Sequence, residues 1–175
     1  MSQPGPSRFA GSRIPDSGFA RDTGEQDAAV AAALEEYALD RSRYADVLLA
    51  LRESRVLVPV VAVLGEVEYD DQGLAHDKSS DMAAVLMQGR DGRLALLAFT
   101  GTTTLQAWNP EARPVPVTAQ VAAQSAVQDE AVALVLDIAG PVPVVVEGED
   151  LRGLAAGWAL ARVGDQVAWI RPDRA

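Results

Sequence analysis

Val30, Ala33, Leu34, Tyr37 and Ala38 recur at the spacing of one face of an α-helix. Asp27 stands just before them, where a carboxylate can accept from the first free backbone N–H groups. Residues 43–52 set Tyr44, Val47, Leu48 and Leu51 on one side and predict a second helix. This stretch runs directly into Val56-Leu-Val-Pro-Val-Val-Ala-Val-Leu64, which is β-branched and apolar at nearly every position, as in a strand covered on both faces. Pro59 has no N–H for a ladder, so the strand is expected to pair fully on one side alone.

Periodicity then stops. Residues 65–81 are polar and acid-rich and predict a long loop without regular structure. Apolar runs at 82–88 and 94–99 flank Gly89-Arg-Asp-Gly-Arg93, a β-hairpin pattern with Asp91-Gly92 at its tip. Thr100 or Thr102 is placed to cap a short helix carrying Leu105 and Trp108, which Asn109-Pro110 ends. Prolines alternate with valines in Pro114-Val-Pro-Val117, a pattern for a sheet edge. Thr118 is placed to cap an alanine-rich helix reaching Gln128, residues 131–138 predict a buried strand, and residues 143–147 return extended. Glu149 and Asp150 suit the positive end of a helix dipole. That helix turns Leu151, Leu154, Ala155 and Trp158 inward, with Gly157 near its end. A closing hairpin turns through Val163-Gly-Asp-Gln166.

This order implies one α/β (α+β) domain, a mixed β-sheet with a β-hairpin and with helices packed on it, over residues 25–175. Residues 1–24 are rich in Pro, Gly, Ser, Arg and Asp and show neither period, so they are expected to form a disordered, flexible tail. Phe9, Ile14 and Phe19 are spaced through that tail as anchors onto the domain or, as the alternative, onto a partner.

Apolar residues make up 49% of the 175-residue chain, enough for a folded core. Cysteine is absent, which excludes disulfides, thiolate zinc sites, iron–sulfur ligation and a cysteine nucleophile. The N-terminus lacks the apolar core of a signal peptide, and no apolar run approaches the roughly 20 residues of a membrane span. A cytoplasmic protein is expected. A net charge of −10 repels phosphate backbones, so direct nucleic-acid binding is not expected and basic protein partners are favoured.

Reactive constellations are scarce. The single histidine, His76, lies beside Asp77 in the acidic loop and cannot build a zinc site by itself. Glu68, Asp70, Gln72 and Gly73 match early positions of a calcium loop, yet Ser79 stands where the bidentate carboxylate must be. Neither G-x-S-x-G nor a glycine-rich phosphate loop occurs. Thr100-Gly-Thr-Thr-Thr104 could present N–H groups and hydroxyls to an anion, although capping explains it more simply. Asp77 with Asp81, or Glu147 with Asp150, explain themselves as surface or capping groups, and Trp108, Trp158 and Trp169 as core anchors. No catalytic residue, cofactor or metal is expected. The candidate ligand or partner surface comprises Asp70, Asp71, Asp77, Asp81, Thr100, Thr102 and Trp108.

Several segments taken in order carry a resemblance: Arg55-Val-Leu-Val-Pro59, Arg93-Leu-Ala-Leu-Leu-Ala-Phe-Thr100, Leu105 with Trp108, Pro114-Val-Pro-Val117, Ala133-Leu-Val-Leu-Asp137 and Val144-Val-Val-Glu-Gly-Glu-Asp-Leu151. Residues 55–157 thereby resemble the N-terminal domain of the SseB family, the enhanced-serine-sensitivity proteins of bacteria. Arg13-Ile-Pro-Asp-Ser-Gly-Phe-Ala20 looks like the extension of actinobacterial members. The chain departs from the family by having Asp137-Ile138 where an Asn-Pro pair is common, and by ending without the second domain of some members. The resemblance implies a mixed α/β domain of uncharacterised molecular function and a partner in the translation machinery. It implies no catalytic residues. The expected function is a non-catalytic intracellular interaction or regulatory module. Its alternative is a small-molecule-binding domain or an enzyme that uses the 100–104 turn and the 65–81 loop.

Overall fold

A computed structural model describes residues 19–63, 68–69, 75–76, 81–164 and 166–172, with the backbone alone at 61–63, 68–69, 75–76 and 81–82. The Asp27 carboxylate accepts from the N–H groups of Ala29 and Val30 and starts α1 (Ala28–Leu39), which buries Val30, Ala33 and Leu34. A 3₁₀ turn over Arg41–Arg43 leads into α2 (Tyr44–Arg52), with Val47, Leu48 and Leu51 buried.

β1 (Arg55–Val63) is a central strand, and its proline is accommodated by parity. It pairs antiparallel with β7 (Arg113–Thr118) along Arg55–Val60 and with β4 (Asp81–Ala84) along Val60–Val63. Leu57 exchanges both backbone bonds with Phe99, at 2.7 and 2.8 Å, so its polar groups point away from β7. Ladder bonding alternates along an antiparallel pair. Pro59, two residues on, therefore also faces away from β7, and its carbonyl accepts from Val85 N–H at 3.1 Å. The expectation that Pro59 limits β1 to one side is corrected, because the cost is confined to one missing donor. By the same parity Pro114 and Pro116, opposite Pro59 and Leu57, aim their ring nitrogens off the free side of β7. β7 is the sheet edge that its prolines predicted, and those prolines remove donors that another strand could use.

The hairpin's first arm changes partner at Val85. β4 lies on β1, whereas β5 (Leu86–Gln88) lies on β6 (Leu94–Ala98), and Val85 bonds both Pro59 and Leu97. β6 runs parallel to β8 (Ala133–Leu136), reached through α3 (Thr102–Trp108), β7 and α4 (Ala119–Gln128). β9 (Val144–Glu147) closes the order β5-β6-β8-β9, antiparallel to β8. Residues 65–81 are not wholly irregular, since Glu68–Tyr69 (β2) and Ala75–His76 (β3) pair antiparallel.

Both faces of β1 over residues 56–60 and of β8 are covered, which explains the unbroken apolar runs there. Val56, Val58, Leu96, Ala98, Leu134 and Leu136 point to the helices, among them α4 and α5 (Gly148–Ala156). Leu57, Leu97, Phe99 and Val135 point the other way, against Leu105 of α3. Ala119, Ala122, Ala123 and Ala126 let α4 approach closely. Gly157 ends α5 in the left-handed conformation, φ 67°. β10 (Ala159–Val163) and β11 (Gln166–Ile170) form the closing hairpin, held to α5 by Trp169, whose indole N–H donates to Asp150 at 2.8 Å. The expected tryptophan anchors are corrected in one respect. All three tryptophans are half-buried, and the large fully buried side chains are Phe99 and the leucines.

Candidate functional site

Beyond the carboxyl ends of β6 and β8, the one parallel pair among the described residues, polar side chains converge. Such strand ends are where open α/β sheets place ligands. β8 delivers Asp137, 2% exposed, in the left-handed region at φ 51°. That conformation, uncommon outside glycine and tolerated by Asp, turns the carboxylate back toward β6. It accepts from Thr100 N–H at 2.9 Å, from Thr100 Oγ1 at 2.6 Å and from Thr104 Oγ1 at 2.5 Å. Three donors satisfy a carboxylate that would otherwise be costly to bury.

A second set of contacts closes the crevice from outside. Arg55, at the start of β1, donates from Nε to Asp22 at 2.5 Å, from Nη1 to the Thr100 carbonyl at 2.7 Å, and from Nη2 to the Glu25 carbonyl. The Arg55 and Asp22 side chains are 11% and 13% exposed. Burial works to raise the Asp22 pKa, but hydrogen bonds from Arg55 and from Gly24 N–H, with the Arg55 charge, outweigh it and hold the carboxyl below its ordinary value. Thr102 donates its N–H (2.7 Å) and hydroxyl (3.0 Å) to the Gly24 carbonyl, and Gln26 donates from Nε2 to Thr100 Oγ1 at 2.8 Å. Residues 22–26 thus form a strap over the turn, and the tail boundary expected at Gly24 falls inside it.

Of the candidate residues, Thr100 is buried under Asp137, and Thr102 is engaged by the strap. Neither caps α3, whose N-cap is Gly101 with no side-chain bond, and this corrects that expectation. Asp70, Asp71 and Asp77 lie outside the described residues, as does the side chain of Asp81. Trp108 packs on Phe99, ring centroids 5.5 Å apart, and lines a separate cleft with Met87 and Leu97. Asp22, Gln26, Arg55 and Asp137 were missed. The signals for them were a polar residue closing an apolar strand and an Asp-Thr-Gly turn. Among the described residues no three His, Cys, Asp or Glu side chains cluster as metal ligands, and no helix is long and apolar enough to cross a membrane.

On the opposite side three clefts join. The largest, about 580 Å³, lies between the end of α4 and the start of α5 and is lined by Arg93, Val127, Glu130, Val132, Glu147 and Arg152. Val127 and Arg152 continue it into an apolar groove with Ala155 and Trp158. Val132 and Glu147 continue it onto the sheet face that carries Ala95 and Val145. Val127, Val132 and Val145 are 47%, 40% and 48% exposed.

The family model of the SseB protein N-terminal domain matches residues 30–153, most of this architecture from α1 into α5. The chain belongs to the SseB family. Arg55, Thr100, Thr102 and Asp137 fall inside the SseB match, while the strap and the β10–β11 hairpin fall outside it. No curated protein and no solved structure matches the chain.

Proposed function

We propose that this SseB-family domain works without catalysis, as an interaction or regulatory module of the cell interior that binds a basic protein across the three joined clefts. The carrying observation is the band of exposed Val127, Val132 and Val145, which gives an apolar anchor site rimmed by Glu130 and Glu147 together with Arg93 and Arg152. Contiguous exposed apolar surface rimmed by charge is characteristic of protein contacts. The chain's net charge of −10 steers basic partners toward it. The 100–104 turn offers no comparable support for a small-molecule site, because Gly24 takes the donors of Thr102.

The test is comparative capture. The full-length chain and a Val127→Asp/Val132→Asp variant, matched for circular dichroism, are used as bait for a bacterial lysate. A basic protein retained by the wild type and reduced about tenfold on the variant, the effect of losing a central hot spot, is the expected result. Equal recovery on both baits removes the proposal.

A further inference from the structure

The strap is bound like a ligand, and its receptor reads sequence position by position. At the first position a carboxylate is required: Asp22 meets Arg55 at 2.5 Å while its other oxygen accepts from Gly24 N–H at 2.7 Å. Thr23 faces solvent, so the second position is open to any side chain. The third position accepts only glycine. Gly24 has φ 77°, and a Cβ there would stand 2.0 Å from Thr102 Oγ1. Gly101 opposite is in closer than ordinary contact, since a Cβ on it would lie 3.2 Å from Gln26 N and 3.3 Å from the Gly24 carbonyl. The next carbonyl goes to Arg55, and the Gln26 amide goes to Thr100.

We propose that the Arg55–Thr100–Thr102 crevice is a recognition site for Asp-x-Gly peptide segments, which residues 22–26 fill in cis and which the same motif in another chain enters in exchange. Three observations carry this beyond simple anchoring. Polar bonds hold the strap, and no side chain between residues 20 and 27 is a buried apolar one, so its release exposes little apolar surface and belongs to the low-energy end of local opening. The receptor is built independently of the strap: Arg55 is fixed by the Thr100 carbonyl, and Thr100 by the buried Asp137. An open crevice leaves the Arg55 Nε and Nη2 donors without the Asp22 carboxylate and the Glu25 carbonyl, which favours recapture of any Asp-x-Gly segment able to approach.

The experiment uses the full-length chain with Gly24→Ala, which unseats the strap and leaves the Asp27 cap of α1 intact. Fluorescence anisotropy follows a labelled peptide of residues 19–27 (FARDTGEQD). The Gly24→Ala chain is expected to bind it saturably. The wild type, whose crevice is open for about a tenth of the time or less, binds it about tenfold or more weakly. Peptides with alanine for the glycine or asparagine for the aspartate should fail, as should the Gly24→Ala/Arg55→Gln chain. If Gly24→Ala lowers the urea midpoint of the whole domain, Asp22→Ser supplies the open chain with an unstrained backbone. Light scattering of that open chain mixed with the wild type separates the sources: a mixed dimer identifies the strap of a second copy, and monomers identify a foreign segment. A folded open chain that ignores the peptide, or binds its alanine version equally well, overturns the proposal.

Discussion

Asp137 shows how much one residue decides at the strand ends. Its carboxylate collects three donors from Thr100 and Thr104 in a site 2% exposed, and its left-handed φ aims it at them. Replacing it with alanine strands the buried Thr100 N–H and hydroxyl while keeping the strained backbone, and leaves the Thr104 hydroxyl to donate to the Gly101 carbonyl. Asp137→Ala is therefore expected to cost about 2–4 kcal/mol, and Asp137→Asn, which tolerates the same φ and keeps two acceptor sites on one oxygen, about 1 kcal/mol, by urea denaturation. The need for a polar residue was legible at the end of the apolar run 131–138, but its partners were not. Thr100 and Thr104 lie 37 and 33 residues away, and only the parallel pairing of β6 with β8 brings them to it. Arg55 and Asp22 were hidden for the same reason, because neither residue carries a local signal of an ion pair 33 positions apart.

The elements followed local rules wherever those rules were self-contained. The caps by Asp27 and Thr118, the alanine-rich α4 and the edge prolines of β7 all stand as their residue types dictate. Thr100 and Thr102 fail as caps because tertiary partners, Asp137 and Gly24, claim their hydroxyls. Pro59 sits in a central strand because ladder parity points its missing donor to a single break. The β10–β11 hairpin depends on contact with α5, as two strands alone are marginal in water. Gly153 provides that contact, since a Cβ there would lie 2.3 Å from Cδ2 of the Trp169 ring. Gly153→Ala is expected to lift the hairpin, weakening its docking on α5 by about 1–3 kcal/mol through overpacking. Hydrogen exchange should show lost protection in β10 and β11 with β1, β6 and β8 unchanged.

Across the whole molecule, Tyr44 joins the helical N-terminal region to the sheet edge. Its hydroxyl donates to the Val145 carbonyl of β9 at 3.3 Å, and its ring lies against Tyr37. Burial, then the nearby negative charge of Asp150, raises its pKa above the ordinary tyrosine value. A raised folded pKa gives stability that is fully present below the unfolded value, about 10, and is lost as pH rises toward the folded one. Urea midpoints should hold level from pH 8 to about 9.5 and fall from about pH 10 upward. Tyr44→Phe should flatten that alkaline fall, and an unchanged slope would assign it to other groups. The proposed binding belongs to the same scale: in that reading the net charge of −10 selects the partner's sign, and Val127 and Val132 between α4 and α5 mark the place.

The sequence by itself determined the helices, most strands and the acidic character, because period, capping and composition act over neighbouring residues, while the SseB family was read from the resemblance of several segments taken in order. Tertiary structure alone decided which polar groups meet. Strand order brought Asp137 under Thr100, and the chain's return past β1 laid Asp22 on Arg55, contacts whose physics depends on distance in space and leaves no periodic trace along the chain.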